Sequence, residues 1–282
     1  MPELPEVEAV RRRLHSVMTK GRIADVELRR PDLRAPFPRH FRTRLRNQRI
    51  ESLTRRGKYL FATLSSTDTL IMHLGMSGSF RVEPARGAGR KGNKGEAIEV
   101  DRHDHVVFYM SSGARIAFND PRRFGVMDLL TTTELARHPV LSRLGPEPLS
   151  ADFDADVLAR AARGKQTTLK AALLDQRVIA GLGNIYASEA LHLAGLSPMR
   201  RFSTIATSSG TPRDSAHELA DAIKQVLAGA VERSMSTRPY RSSRFRVYDR
   251  EGQPCLRRGC SGTIRRRTQN GRSTFYCPVC QR

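Results

Sequence analysis

The chain is poor in acid: 28 Asp and Glu stand against 49 Lys and Arg, leaving a formal charge of +21. A globular protein carries that much self-repulsion only when something anionic offsets it, which points to nucleic acid or a membrane surface. It also lacks any apolar run of the roughly 18 residues that a membrane-spanning helix needs. No basic-then-apolar signal peptide opens it. Nucleic acid is therefore the expected partner, with no membrane, and the cytoplasm the expected compartment. Cysteine is scarce, four in 282 residues and all between positions 255 and 280, which excludes a distributed disulfide framework. There is no internal repeat.

What is present begins at the first residues, MPELPEVE. An initiator Met followed by a small residue is removed, so the mature chain would start at Pro2 with a free secondary amine. An α-amino group titrates at about 7.7–8.0, so part of it is unprotonated near neutrality and nucleophilic. Attack by such an amine on a sugar C1′ gives an iminium, an electron sink. Glu3 stands beside it, where a carboxyl could protonate a ring oxygen or carry the amine proton. Taken alone, the same residues serve as a helix start, with Pro5 in the first turn and Glu3 and Glu6 near the positive helix end.

Three regions follow. Val7, Val10, Leu14 and Val17 recur at helical spacing, predicting one amphipathic helix over Val7–Met18. IESLTRRGKYLFATL, TLIMHLGMSGSFRVE and HVVFYMSSGARIAFND are β-branched or aromatic runs broken by Gly and Ser, predicting antiparallel strands of a sandwich. The Gly-rich, basic stretch Pro84–Ala97 reads as a loop between strands. Past about Leu130, DADVLARAAR, QTTLKAALLDQ, NIYASEALHLAGL and SAHELADAIKQVLAGAVE have the 3.6-residue period of helices. SMSTRPYRSSRFR reads as a linker before the cysteine module. The fold class expected is α+β, with domains at 1–130, 131–240 and 246–282.

Cys255, Cys260, Cys277 and Cys280 form two pairs around TIRRRTQNGRSTFYC, two short strands turning at Asn270-Gly271. This pattern predicts a zinc ribbon with one structural Zn²⁺. Four thiolates leave the metal no open position, so it would fold the module and do no chemistry. Arg272 leaves the hairpin turn, either solvated or reaching a phosphate backbone.

Several glycine-flanked motifs suggest exposed tools. Met76 lies between Gly75 and Gly78 in HLGMSG. Arg122 and Phe124 follow Pro121 in DPRRFG and would point the same way on extended backbone. An apolar wedge with an arginine suits an enzyme that fills the gap left by an extruded nucleotide, although core packing accounts equally well for Met76 and Phe124 alone. In LLDQRVIAGLGNIYASE a helix ends, a glycine turn follows and a second helix starts at about Asn184, whose N-terminal amides would form a phosphate site.

Together, MPELPEVE, RRGKYL, HLGMSG, HDH, NDPRRFG, LLDQRVIAGLGNIYASE and GRSTFYCPVCQ resemble, in order and over the whole chain, the formamidopyrimidine-DNA glycosylases. The resemblance implies an N-terminal β-sandwich with its helix, a helix-two-turn-helix domain and a C-terminal zinc finger, with damaged double-stranded DNA bound in a cleft by a monomer of bacterial type. It implies Pro2 as Schiff-base nucleophile, Glu3 as proton donor, Lys58 in β-elimination and Arg272 in δ-elimination. His103, Lys165, Asn184 and Arg122 fall on DNA-contacting positions, and Met76, Arg122 and Phe124 on the void-filling set. The implied activity is base-excision repair of oxidised purines, formamidopyrimidines and 8-oxoguanine. The alternatives are an endonuclease VIII-like glycosylase for oxidised pyrimidines and a non-catalytic zinc-containing nucleic-acid-binding protein. One departure stands out: Arg233 to Arg246 is shorter than the loop that closes over 8-oxoguanine in such enzymes and has arginines in place of its glycines, so weaker selectivity for that base is expected.

Overall fold

The computed structural model describes residues 1–85, 101–234 and 245–282. Most of the Gly-rich stretch Pro84–Ala97 and of the shortened segment Arg233–Arg246 therefore lies outside the described residues. The chain forms two compact units, residues 1–2 with 6–142, and residues 3–5 with 143–282.

Helix α1 (Leu4–Met18) opens the chain, starting three residues before the apolar period does. Its Val7, Leu14 and Met18 are buried in the core of the first unit. That unit contains β1 (Ile23–Leu28), a short α2 (Phe41–Leu45), β2 (Ile50–Arg56), β3 (Tyr59–Leu64), β4 (Asp68–His73), β5 (Ser79–Glu83), β6 (Asp104–Met110), β7 (Arg115–Asn119), β8 (Val126–Thr131) and α3 (Thr132–Arg137). The strands make two antiparallel four-stranded sheets, ordered β1-β6-β7-β5 and β2-β3-β4-β8. Val26, Phe108, Ile116 and Phe118 from one and Leu53, Leu60, Met72 and Leu129 from the other share one core. This is the expected sandwich.

Connectivity does the positioning. HLGMSG joins β4 in one sheet to β5 in the other, and NDPRRFG joins β7 to β8 between the same two sheets. The ends they leave are paired, His73 with Val126 and Ser79 with Asn119, so the two loops run side by side. Between β2 and β3, Arg56 pairs with Tyr59 and leaves a two-residue turn, Gly57-Lys58, with Gly57 at φ +57°. A positive first position is what a tight hairpin of right-twisted strands requires.

The second unit contains α4 (Ala155–Ala162), α5 (Leu169–Leu174), α6 (Asn184–Leu193), α7 (Asp214–Ser234), β9 (Arg265–Gln269) and β10 (Arg272–Tyr276). Asp154 and Thr168 cap α4 and α5 with their own side chains, whereas Gly183 at the start of α6 has none to offer. Buried Phe153, Leu158, Leu173, Leu191, Leu219 and Ile223 form the helical core. β9 and β10 pair through Asn270 and Gly271, both at positive φ, as the Asn-Gly signal predicts. The cysteine module sits on α6: the Glu189 carboxylate, 5% exposed, accepts the backbone N–H groups of Arg246, Val247 and Tyr248 at 2.8–2.9 Å.

Candidate active site and metal cluster

Glu3 is 1% exposed, and its carboxylate is bound at the start of α6. Its carboxylate accepts the N–H of Ile185 at 2.9 Å and of Tyr186 at 3.3 Å. It thereby caps the helix that Gly183 cannot cap, and the positive helix end favours negative charge there. The neighbouring backbone is tied down as well, since Leu4 N–H donates to Gly181 O at 3.1 Å. Both glycines are needed for this approach. A Cβ on Gly183 would lie 2.2 Å from Glu3 Cδ, and one on Gly181, which has φ +87°, would lie 2.8 Å from Leu4 Cδ1. Pro2, immediately before, is half-buried. The α6 amides expected to bind phosphate are thus already taken at two positions by a carboxylate of the chain itself. Asn184 turns its amide inward, its Nδ2 donating to Ser273 O at 3.0 Å.

Lys58 is 6% exposed at the second position of the β2–β3 turn. Its charge is felt by His73, whose imidazole is pushed down to about 4 by burial first and then by Lys58 and Arg34. That ring packs against Tyr59 at a tilt of 43°, with centroids 4.7 Å apart, and its Nδ1 accepts the Gly75 N–H at 3.1 Å, so one neutral histidine adjoins both the lysine turn and the Met76 loop.

Met76 and Phe124 are exposed, 39% and 42%, which sets aside core packing for both. Arg122 and Phe124 do not lie on extended backbone as expected, because Arg123 between them is left-handed at φ +56°. They meet all the same, with the Arg122 guanidinium 4.8 Å above the Phe124 ring. Beneath them Asp120, fully buried, accepts the Ser77 hydroxyl at 2.5 Å and the Gly125 N–H at 2.7 Å. The Ser77 oxygen in turn accepts the Arg122 N–H at 3.2 Å. A Cβ on Gly75 would be 2.3 Å from the Phe124 carbonyl carbon, so the loops touch backbone to backbone. His103 joins the same corner: its carbonyl accepts the Asp120 N–H at 3.0 Å and its Nε2 accepts from Arg102 at 3.0 Å.

In the second unit Lys165 is exposed beyond the end of α4, and Arg272 is exposed as the first residue of β10. Beneath Arg272 lies a residue the sequence reading passed over. Lys170, on the apolar side of α5 and 1% exposed, donates from Nζ to Ser273 O at 2.8 Å and Thr274 Oγ1 at 2.7 Å. Burial, and after it the Arg272 charge, bring its ammonium down to about 8. The available signal was a lysine immediately after Leu169 and three residues before Leu173, within a buried helical face.

The four cysteines are reduced, and their sulfurs all lie within 4.8 Å of one another. Cys260 and Cys277 are 3.6 Å apart and Cys255 and Cys280 3.7 Å. Tetrahedral Zn–S bonds of about 2.3 Å put sulfurs roughly 3.8 Å apart, so this donor set fits zinc and leaves no position for substrate. Gly262 is required here, since a Cβ would fall 2.5 Å from Cys277 Sγ. Among the described residues no helix is long and apolar enough to cross a membrane.

Comparison with known proteins agrees in all parts of the chain. Family models for the formamidopyrimidine-DNA glycosylase N-terminal domain, its H2TH domain and the zinc finger found in these enzymes and in isoleucyl-tRNA synthetases match residues 1–127, 144–241 and 252–282. The chain is 54% identical to a formamidopyrimidine-DNA glycosylase of Bradyrhizobium sp. strain BTAi1, over all of both chains. It is also similar to the Lactococcus lactis enzyme solved non-covalently bound to DNA containing an abasic site, with a TM-score of 0.84 and 31% identity over 99% of each chain. A complex of the same Lactococcus enzyme with DNA containing Fapy-dG matches with a TM-score of 0.82, 30% identity and 99% and 100% coverage.

Proposed function

Since this chain belongs to the formamidopyrimidine-DNA glycosylase family, we propose that it is a bifunctional glycosylase and abasic-site lyase of base-excision repair, removing formamidopyrimidines and 8-oxoguanine from duplex DNA. The observation that carries this reading is the fixed Glu3 carboxylate directly after Pro2. Once Met1 is removed, the Pro2 amine attacks C1′ and the C–N bond to the damaged base breaks. The base anion takes a proton from water. The amine proton passes through Glu3 to the sugar ring oxygen as the ring opens, leaving an iminium. The iminium acidifies C2′–H. Loss of that proton expels the 3′ phosphate, with Lys58 assisting, and a second elimination expels the 5′ phosphate, with Arg272 assisting.

Met76, Arg122 and Phe124 fill the space left by the extruded nucleotide, and His103, Arg122, Lys165 and Asn184 contact the strand. We assign these tasks to domains 1–130 and 131–240, with 246–282 as the zinc finger. One Zn²⁺ held by Cys255, Cys260, Cys277 and Cys280 would order the hairpin that carries Arg272 and take no part in the eliminations. The protein acts as a monomer in the bacterial cytoplasm, on the chromosome.

Borohydride trapping on duplexes containing formamidopyrimidine, 8-oxoguanine, an abasic site or thymine glycol tests this reading. Rapid covalent capture on the first three is expected. Fastest capture on thymine glycol would favour the pyrimidine-specific branch, and no capture would leave only a binding protein. The outcome expected of the short Arg233–Arg246 segment is that 8-oxoguanine excision persists but is less favoured, relative to formamidopyrimidines and abasic sites, than in a relative with the longer loop.

A further inference from the structure

The zinc cluster has a fifth neighbour that the cysteine pattern does not contain. His192, near the C-terminal end of α6, is fully buried. Its Nε2 lies 3.3 Å from Cys255 Sγ and 3.8 Å from Cys280 Sγ, one sulfur from each cysteine pair. Its Nδ1 is buried too and has no hydrogen-bond partner among the described residues.

A neutral imidazole carries one N–H, and the surroundings of the two nitrogens decide where it sits. A proton on Nδ1 would bury a donor without an acceptor and turn the Nε2 lone pair toward sulfur anions. A proton on Nε2 aims the N–H at the sulfurs and leaves only an unfilled acceptor behind, the smaller penalty. The surrounding backbone holds the ring's position. Arg257 donates from its guanidinium to the carbonyls of His192 and of Leu193, the latter at 3.0 Å, while its own N–H points to Cys255 Sγ at 3.5 Å.

We propose that His192 is an outer-sphere residue of the metal site, donating Nε2–H to the thiolates of Cys255 and Cys280. Four thiolates around Zn²⁺ carry two net negative charges, in a module whose Cys277 is itself fully buried. A donor shared between the two pairs withdraws charge from both and lowers their tendency to leave the metal for protons or electrophiles. It also makes zinc retention a property of α6, the helix whose opposite end holds Glu3. The proposal rests on the zinc reading above and goes beyond it.

The test uses the full-length protein. Zinc content is measured first, then the rate of zinc transfer to a chromogenic chelator for wild type, His192→Phe and His192→Gln. The cobalt-substituted proteins supply sulfur-to-metal charge-transfer spectra. Phe keeps the bulk and loses the donor, and Gln restores an N–H. The expected results are one zinc in wild type, a loss of affinity in His192→Phe of about 10- to 100-fold seen as faster transfer, a shifted cobalt spectrum, and substantial recovery in His192→Gln. If His192→Phe does not fold, cadmium-113-substituted wild type serves instead: scalar coupling between the metal and His192 Hε2 is expected, and a proton found on Nδ1 overturns the assignment. Wild type without zinc overturns the zinc reading and this proposal together. One zinc in wild type, with transfer rate and spectrum unchanged in His192→Phe, overturns the proposal alone.

Discussion

The Glu3 carboxyl group lies where a side chain at position 183 would have to be, 2.2 Å from a Cβ built on Gly183. The two residues are 180 positions apart, yet each explains the other: the glycine makes room, and the carboxylate caps the helix that the glycine leaves uncapped. Gly183→Ala should therefore push Glu3 out of its seat. We expect a soluble, zinc-containing protein whose single-turnover base release falls about 100-fold, the order of loss that a shift of roughly 1 Å at a reacting group produces. Unchanged base release in this variant would show that the seating of Glu3 is immaterial.

The nucleophile is tested at Pro2. Pro2→Gly, or a tag that keeps the N-terminus blocked, should abolish borohydride trapping while leaving duplex affinity within a few-fold of wild type in a gel-shift titration. Undiminished covalent complex with a blocked N-terminus would move the assignment to Lys58.

Asp120 bridges Ser77 and Gly125, and through them the loops of Met76 and Phe124. Asn in its place turns an N–H₂ toward one of two donors, a buried mismatch costing about 1–3 kcal/mol. Asp120→Asn should bind an abasic-site duplex nearly normally but extrude a damaged base poorly. The expected signature is a weaker fluorescence rise from 2-aminopurine beside the lesion, with base release slowed about tenfold or more; a fluorescence rise equal to wild type would count against the bridge.

Lys170 gives a pH dependence with a definite sign. Its ammonium titrates near 8 in the folded protein against an ordinary 10.5, so the unfolded chain holds the proton more tightly between those values. Stability attributable to this group therefore rises with pH through that window and is lowest below about 8. Relative to Lys170→Met, the wild-type melting temperature should climb between pH 8 and 10. Parallel pH profiles for the two proteins would refute the shift.

Removal of one metal ligand completes the set. Cys277→Ser should yield protein with little zinc and much weaker DNA binding, because the hairpin carrying Arg272 is no longer ordered. Full zinc content in this variant, or a disulfide between any two of the four cysteines in wild type, would contradict a closed four-thiolate site.

Periodicity and side-chain chemistry alone determined much of this protein. The strand runs, the helices, the Asn270-Gly271 turn and the paired cysteines were legible because each is a local pattern with a local cause. So was the nucleophile's candidacy, since only removal of Met1 exposes a secondary amine. Tertiary structure decided what is non-local. HLGMSG and NDPRRFG meet because both cross between the same two sheets from paired strand ends, and strand order is not written in either motif. The start of α6 holds Glu3 where a phosphate was expected, because the first turn of the chain packs against a glycine turn far along it. Lys170 and His192 look like ordinary helical residues until β10 and the cysteines are brought against them. Burial and hydrogen bonding to distant segments set the chemistry of a side chain, and those follow from how the chain folds back on itself and not from its neighbours in sequence.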